Sequence, residues 1–299
     1  MKEVVSSVEE AFRQAGNGAA SNAARTRSLG KGSVLNVMHA NLGYLGRGGL
    51  KAYMHSSAGT RFVVVLFDGS SSAPLAVMGA DAIGRYRTGA ASGVATRHLY
   101  ARSSGVAAVL GSGRQALTQV LALGSVMSLE EVRAWSPNRT RLESFVKVLS
   151  GEGFSVTASD SPQAALRGAD VASAITSSRD PFVAGSMLGS VSHFNACGSN
   201  HPAHSEVDPS AVATFGTVAV DDVPQAKMEY GDLIKAADAG TFRWESAVEL
   251  SAVVAGRIRP NGRTLFKSGG AAMEDVAVAS MLYDKAMRSG LSYQNAELV

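Results

Sequence analysis

Short apolar runs of strand length follow one another near the start of the chain, separated by glycine, serine and proline. Between Val34 and Asp81 they read VLNVMHA, GLKAYMHS, RFVVVLF and PLAVMGA, a pattern typical of an antiparallel sheet. The preceding MKEVVSSVEEAFRQAG predicts an amphipathic helix and lacks the apolar centre of a signal peptide. The later RTGAASGVATRHLYA, from Arg87 to Ala101, predicts a helix of small residues that can pack closely against a neighbour.

From about residue 106 the pattern changes to strands that alternate with helices. The run VAAVLGSG predicts a buried strand that ends in glycines, and RQALTQVLALGS places its apolar residues on one helical face. The strands VRAWS, FSVTA, VASAIT, SVSHFNACG and TVAVDD continue the alternation, with TRLESFVKVLSGEG and DSPQAALRGAD as helices. Such alternation predicts an α/β fold with a parallel sheet and right-handed crossovers.

Composition limits the protein classes that need to be considered. The 299 residues are 45% hydrophobic and 18% charged, which favours two domains of ordinary size. The net charge of +3 implies no basic face, so we expect no nucleic-acid partner. The longest apolar runs fall far short of the ~18 residues of a membrane span. Because Cys197 is the single cysteine, no internal disulfide can form, and we expect a cytoplasmic protein without a membrane partner.

The glycines after the first strand of the α/β region predict a dinucleotide site. Gly111, Gly113 and Ala116 form the spacing G-x-G-x-x-A between a strand and a helix. The first glycine permits a tight turn, and the second lets the backbone approach a pyrophosphate. The N–H groups of Arg114 and Gln115 then face the anion. An ordinary strand-to-helix turn is the alternative, but the surrounding βαβ pattern favours the nucleotide.

The end of the next strand bears on which dinucleotide is bound. NAD sites usually carry an acidic residue there, whereas WSPNRTR offers Ser136, Asn138 and Arg139 and no carboxylate. We therefore predict that these residues bind NADP(H) in preference to NAD(H), with NAD(H) still possible. The alternative is a solvated loop that caps the helix beginning near Thr140.

Two further groups of polar residues are candidates for binding. Thr176 and Ser177 end a strand where an open α/β sheet meets its nucleotide, although their hydroxyls could equally satisfy a loop backbone. Cys197, His201 and His204 follow one another in a loop, but their spacing matches none of the common zinc frameworks. We expect no metal.

Several stretches together resemble the ornithine cyclodeaminase and mu-crystallin family, which includes archaeal alanine dehydrogenases and ketimine reductases. They are GGLKAYM, GRYRTGAASGVATRHLYA, VLGSGRQA, HFNACGSNHPAHSEVD, VAVDDVPQAK and LFKSGGAAMEDVAVA. The resemblance implies a homodimer with a Rossmann-type dinucleotide-binding domain, 103–274. A discontinuous, strand-rich substrate and dimerisation domain would comprise 1–102 and 275–299. The helix-poor N-terminal sheet agrees with this, since a second subunit would cover its free face.

The resemblance also implies roles for individual residues. Lys51 would bind the substrate carboxylate at the catalytic centre, together with Arg25, although Arg27 would point the same way on a strand. Arg87, which we place at the start of a helix, would hold either that carboxylate or a cofactor phosphate. Ser268 would lie beside the nicotinamide, unless it is only a turn serine.

The expected function is an NAD(P)-dependent oxidoreductase of a small amino or imino acid. An ornithine cyclodeaminase-type lyase and a non-catalytic, mu-crystallin-like nucleotide-binding protein are the alternatives. Cyclodeaminases carry a proton-accepting aspartate where this chain has Asn200. A carboxamide can only orient a substrate or water, which argues against ammonia elimination and favours imine reduction. His201 or His204 would be the proton donor if their loop folds inward.

Overall fold

A computed structural model describes residues 1–290 and contains one antiparallel and one parallel sheet. The positions 291–299, which we assigned to the second segment of the discontinuous domain, lie outside the described residues. Within 1–290, no helix has the length and apolar character to cross a membrane.

The antiparallel sheet contains the four runs predicted between Val34 and Asp81. Its strands are β1 (Ala20–Asn22), β2 (Thr26–Gly30), β3 (Ser33–Leu42), β4 (Arg47–Ser56), β5 (Gly59–Asp68) and β6 (Pro74–Gly79). The order is β1-β3-β4-β5-β6, with β2 paired to the other end of β3. The apolar pattern did not reveal β1 and β2, because these strands are short and their residues are mostly polar and exposed.

Two helices accompany this sheet, α1 (Lys2–Gly16) and α2 (Asp81–Leu99). The predicted amphipathic helix is confirmed as α1. The expected start of α2 at Arg87 is wrong, since the helix begins six residues earlier, with Asp81 in its first turn, where the helix dipole favours a carboxylate. Arg87 therefore lies in the second turn, and its charge is balanced by acidic side chains described below.

The parallel sheet confirms the predicted α/β alternation. Its strands are β7 (Ser104–Leu110), β8 (Ser128–Trp135), β9 (Val156–Ala158), β10 (Val171–Ala174), β11 (His193–Ala196), β12 (Thr217–Val220), β13 (Ala247–Glu249) and β14 (Thr264–Lys267). They stand in the order β13-β12-β14-β11-β10-β7-β8-β9. The strands β13 and β14 were not predicted; β14 has four residues and lies in a stretch that we used only for its family resemblance.

Short helices connect these strands, and a long one closes the described chain. They are α3 (Ala116–Val126), α4 (Arg139–Gly151), α5 (Pro162–Leu166), α6 (Pro209–Val212), α7 (Val223–Glu229), α8 (Gly231–Asp238), α9 (Leu250–Val254) and α10 (Ala272–Arg288). The helix α10 returns to pack against α1, α2 and the strands β3 to β5. The chain thus brings the first turn of α10 beneath the antiparallel sheet.

The small residues of α2 allow the predicted close packing. A Cβ at Gly89 would overlap the backbone of Thr118 on α3, and one at Gly93 would lie 3.2 Å from the Cβ of Ala122. This contact joins the antiparallel part of the molecule to the first helix of the parallel part. It fixes Arg87, on the same helix, relative to the glycine turn before α3.

Candidate active site

A cavity of about 370 Å³ lies where the antiparallel sheet faces the carboxyl ends of the parallel strands. Seven of the residues predicted to bind substrate or cofactor line it together: Arg25, Lys51, Arg87, Arg114, Gln115, Asn200 and Ser268. The inward face of the antiparallel sheet adds Met38, Tyr53 and Phe62 as an apolar wall. The remaining candidates, Gly111, Gly113, Ser136, Asn138, Arg139 and Thr176, follow β7, β8 and β10 along the same carboxyl edge.

Lys51 points inward from the middle of β4 and is only 3% exposed. Its Nζ lies 2.8 Å from Asp275 Oδ1 in the first turn of α10. Burial lowers the pKa of Lys51 to about 8, while the neighbouring Asp275 opposes that shift. The ammonium has three donors, so a substrate carboxylate can bind it without displacing Asp275.

Arg87 shares the same acidic partners. Its Nε lies 3.2 Å from Asp275 Oδ1, and its Nη1 lies 3.0 Å from Glu274 Oε2. Burial opposes the guanidinium charge, but Asp275 and Glu274 raise its pKa overall. Burial also raises the pKa of Glu274 to about 7, and Arg87 opposes that rise. Two cations and two carboxylates thus form a buried cluster at the cavity wall, with guanidinium donors left for an anion.

Arg25 and Arg27, which the sequence could not separate, take different places. Arg25 is buried and lines the cavity, where it pairs with Glu229 and donates from Nη2 to the Gly269 carbonyl at 2.8 Å. Arg27 is nearer the surface and lies 2.6 Å from the other oxygen of Glu229. It also donates to the backbone oxygen of Asn200 at 3.0 Å. The structure therefore puts Arg25 in the candidate site and Arg27 behind the Asn200 loop.

Ser268 lines the cavity but is already engaged. Its hydroxyl donates to Asp221 Oδ2 at 2.8 Å, and the N–H of Gly270 donates to the same oxygen at 2.7 Å. Tyr230 donates its hydroxyl to the other oxygen of Asp221. Burial raises the pKa of Asp221, although these donors oppose the rise. Sequence reasoning missed Asp221, yet its place directly after β12 at the carboxyl edge was a usable signal.

The glycine turn after β7 has the shape that a dinucleotide requires. Gly111 has φ 119, and a Cβ there would lie 2.7 Å from the Ile175 carbonyl oxygen. A Cβ at Gly113 would meet no atom within 4 Å among the described residues, so this glycine borders open space. In the part of the chain that the structure describes, no side chain caps the N-terminus of α3, so its N–H groups are free of a side-chain acceptor. These features fit a pyrophosphate, and Arg114 pairs with Asp81 across the cavity mouth.

The polar residues after β8 engage each other and nearby acids. Asn138 caps α4 by accepting the N–H of Arg141 at 2.9 Å, which agrees with the capping alternative. Arg139 is exposed and lies 3.0 Å from Glu143 and 3.2 Å from Asp160. Asp160, just beyond β9, is a carboxylate that the sequence reasoning did not associate with this edge. The assignment of Arg139 to a cofactor phosphate stays a prediction.

The segments after β10 and β11 contain Thr176 and the residues that were weighed as metal ligands. The Thr176 hydroxyl donates to Glu206 Oε1 at 2.8 Å. His201 is exposed, and its ring stacks against that of His204, with 4.8 Å between the ring centroids. Cys197 is buried beside Ser92, and burial raises the pKa of its thiol to about 12. Within 1–290, no three His, Cys, Asp or Glu side chains are arranged to hold a metal ion.

Comparisons with known proteins give one family. The model of the ornithine cyclodeaminase/mu-crystallin family matches residues 1–290. Alanine dehydrogenase of Archaeoglobus fulgidus is 31% identical to this chain, over 96% of it and 91% of the relative. Thermococcus litoralis Δ1-pyrroline-2-carboxylate reductase, solved with NADH and L-proline, aligns with TM-score 0.91 and 30% identity over 99% and 96% of the two chains. An archaeal alanine dehydrogenase dimer with bound NAD aligns with TM-score 0.88 and 29% identity over 99% and 94%.

Proposed function

The chain belongs to the ornithine cyclodeaminase/mu-crystallin family, and from this premise we propose that it is an NAD(P)-dependent oxidoreductase of a small amino or imino acid. It acts as an imine or ketimine reductase or as an amino-acid dehydrogenase. The observation that carries this function is the buried cluster of Lys51, Arg87, Glu274 and Asp275. Its two cations line the same cavity as Arg114 and Gln115, which follow the glycine turn directly. The cluster suits a carboxylate, and the turn suits a dinucleotide.

Each part of the site has a separate task in this reaction. The nicotinamide, when bound, gives or takes the hydride. Gly111, Gly113 and the N–H groups that open α3 would hold its pyrophosphate. Lys51 and Arg87 would bind the substrate carboxylate and so fix the orientation of the neighbouring imine or amine carbon. The apolar wall of the cavity shields that carbon from water.

Asn200 favours the redox reaction over the cyclodeaminase reaction. It lines the cavity from the loop after β11, and its carboxamide does not accept a proton under ordinary conditions. An iminium substrate can arrive already protonated and needs mainly a hydride, whereas ammonia elimination needs a group that manages amine protons. The assignment of Asn200 as an orienting residue rests on this chemistry.

The decisive experiment measures oxidation of NADPH and NADH with cyclic ketimine carboxylates, and with pyruvate or glyoxylate plus amines. We expect stoichiometric oxidation with at least one of them and no efficient conversion of L-ornithine to proline. Asn200→Asp tests whether a restored carboxylate introduces the elimination. Efficient ornithine turnover by the wild-type protein would contradict the proposal. Tight cofactor binding without any turnover would instead favour a mu-crystallin-like binding role.

The buried ammonium of Lys51 predicts an alkaline limit to activity. The pKa of Lys51 is lowered to about 8, so the free enzyme loses this cation as the pH rises through that value. We expect kcat/KM for an imine carboxylate to fall above pH 8 by about tenfold per pH unit. In Lys51→Arg the limb should move to higher pH, because a guanidinium stays charged. A limb that stays in place in this variant belongs to the substrate or to another group.

We further propose that NADP(H) is the preferred cofactor, supported by Arg139, Ser136 and Asn138 at the end of β8. Since a 2′-phosphate would compete with Glu143 and Asp160 for Arg139, Arg139→Ala should weaken NADPH binding by about tenfold or more and leave NADH binding nearly unchanged. Fluorescence titration measures both affinities. Lys147→Ala, an exposed cation later in α4, is the control. Equal effects of Arg139→Ala on both cofactors would count against the assignment.

We also propose a homodimer that forms through the outer face of the antiparallel sheet. Paired residues on that face make apolar rows, such as Val37, Ala52 and Val63, and next to them Leu50, Val65 and Val77. A second copy would remove these rows from water, which suits an isologous interface.

Light scattering tests the dimer. We expect twice the chain mass for the wild-type protein at micromolar concentration, and a monomer for Val65→Glu, which places a charge in the middle of the apolar rows. Lys31→Glu, in the turn between β2 and β3, should leave the dimer intact. A monomeric wild-type protein would refute the proposed interface.

The proposed domain division is supported by the packing of α10. This helix contacts α1, α2 and the strands β3 to β5, which agrees with a discontinuous domain over 1–102 and 275–299 around a nucleotide-binding domain, 103–274. A cytoplasmic location remains our expectation from the single cysteine and the composition.

A further inference from the structure

A buried carboxylate outside the cavity joins the ends of two central strands. Glu206 is completely buried. Its Oε1 accepts the backbone N–H of Thr176, after β10, at 2.6 Å and the Thr176 hydroxyl at 2.8 Å. Its Oε2 accepts the N–H of Gly198, after β11, at 2.8 Å. Both oxygens of one side chain are therefore used to hold the carboxyl edge of the sheet.

A second carboxylate and a lysine hold Glu206 in turn. Asp232 Oδ1 accepts the N–H groups of Glu206 and Val207 at 2.6 and 3.0 Å. Asp232 Oδ2 lies 2.7 Å from the Nζ of Lys267, which also donates to the Ser199 carbonyl at 3.0 Å. The network therefore begins and ends on the same loop, at Gly198 and at Ser199. The next residue of this loop is Asn200, which lines the cavity.

The loop sits directly on this carboxylate. A Cβ at Gly198 would overlap both Glu206 Oε1 and the backbone of Thr176. Thr176 in turn packs against the dinucleotide turn, where its Cγ2 would lie 3.2 Å from a Cβ built at Gly111. The contacts of Glu206 thus reach both the Asn200 loop and the glycine turn. Burying these charges costs free energy, and a hydrophobic replacement often costs less. Neither the binding of the substrate carboxylate nor the hydride transfer uses them.

We propose that Glu206 is a positioning residue, which holds Asn200 at the substrate and Thr176 at the dinucleotide turn through its three hydrogen bonds. The inference rests on the proposed oxidoreductase function for its kinetic consequences only. Glu206 does not touch the cavity, so its effect on turnover passes through the loop that it holds. A displacement of about 1 Å at a reacting group is enough to slow an enzyme strongly.

The charge of Glu206 is part of this arrangement. The charged groups that act on Glu206 are Lys267 on β14 and Asp232 on α8, and Glu206 in turn acts on the Cys197 thiol, directly after β11. Burial raises the pKa of Glu206 to about 7, although Lys267 opposes the rise. Protonation would place a hydrogen on an oxygen that already accepts an N–H, so that oxygen becomes a poorer acceptor and at least one of the three bonds is weakened. The ionised form, present above pH 7, is therefore the one that positions the loop.

The test compares the wild-type protein with Glu206→Gln by backbone hydrogen exchange and by kinetics across pH. An amide nitrogen would face an N–H donor, as the protonated acid does, so Gly198 or Thr176 should lose exchange protection. We expect kcat at pH 8 to fall about tenfold or more, and the acid limb near pH 7 to disappear. Thr176→Val, which removes the hydroxyl that donates to Glu206 and accepts the N–H of Ser178, provides a milder second variant if Glu206→Gln folds poorly.

Asp170→Asn is the matched control. Asp170 accepts the N–H of Val106 at 2.9 Å at the opposite, amino edge of the same sheet. The Asp170→Asn substitution should reduce stability without changing the acid limb of kcat or the hydrogen-exchange protection of Gly198. The positioning role is overturned if Glu206→Gln keeps wild-type protection and the wild-type acid limb, since that limb would then belong to another group such as Glu274. Hydrogen exchange reads the network directly, so it stays decisive even if no imine substrate is turned over.

Discussion

Replacing Arg87 with methionine is expected to lower kcat/KM for the imine carboxylate by about 100-fold or more. Two losses add in this variant. The substrate carboxylate loses a guanidinium donor in a buried site, where a charged pair contributes several kcal/mol. Glu274 and Asp275 also lose the cation that they share, so their negative charges are left facing the place where the carboxylate should bind. The main effect should be on KM, since the lost interaction already exists in the bound substrate.

The matched control for this prediction is Arg97→Met on the same helix. Arg97 also forms an ion pair, with Glu9 of α1, but it lies outside the cavity. The control should keep wild-type kinetics, while thermal unfolding shows whether either variant is destabilised. In Arg87→Met, Glu274 loses its cation and Asp275 keeps only Lys51. We therefore also expect a loss of about 3–5 kcal/mol of stability. If Arg87→Met folds and keeps wild-type kinetics, Arg87 does not bind the substrate.

The sequence was informative wherever local pattern decides the outcome. The four strands of the antiparallel sheet, the glycine turn at Gly111 and the close packing of α2 all depend on residues that are neighbours in the chain. The short β14 was missed because its stretch entered only through the family resemblance; β10, β11 and β12, which are equally short, were predicted. Its place between β11 and β12 is set by the topology of the whole sheet.

The acidic half of the site was beyond local reasoning. Lys51 was recognised, but its partner Asp275 lies 224 positions away and meets it only because α10 returns to the antiparallel sheet. Asp221, Glu206 and Asp232 were not singled out, since a carboxylate in an isolated stretch gives no sign that it will be buried. Their roles depend on which backbone N–H groups the fold brings to them. The cations that we propose to bind substrate can be predicted from a motif, whereas the acids that hold those cations require the fold.

Alanine substitutions at the two glycines of the turn after β7 are expected to have different effects on stability and on cofactor binding. Gly111 has a positive φ, and its Cβ would lie 2.7 Å from a backbone carbonyl oxygen that belongs to the neighbouring strand end. Gly111→Ala should therefore lose about 2–4 kcal/mol of stability, from strain and from the overlap, and bind neither NADPH nor NADH well.

Gly113→Ala separates cofactor binding from folding. Because its Cβ would meet no atom within 4 Å among the described residues, thermal unfolding of the cofactor-free protein should stay close to wild type. A pyrophosphate that approaches this backbone would meet the new methyl group, so the affinity for both cofactors should fall by about tenfold or more. Calorimetry and fluorescence titration on the two variants test this contrast. If Gly113→Ala kept wild-type affinity for NADPH and NADH, the dinucleotide would not pass over this turn, and the proposed cofactor site would have to be placed elsewhere.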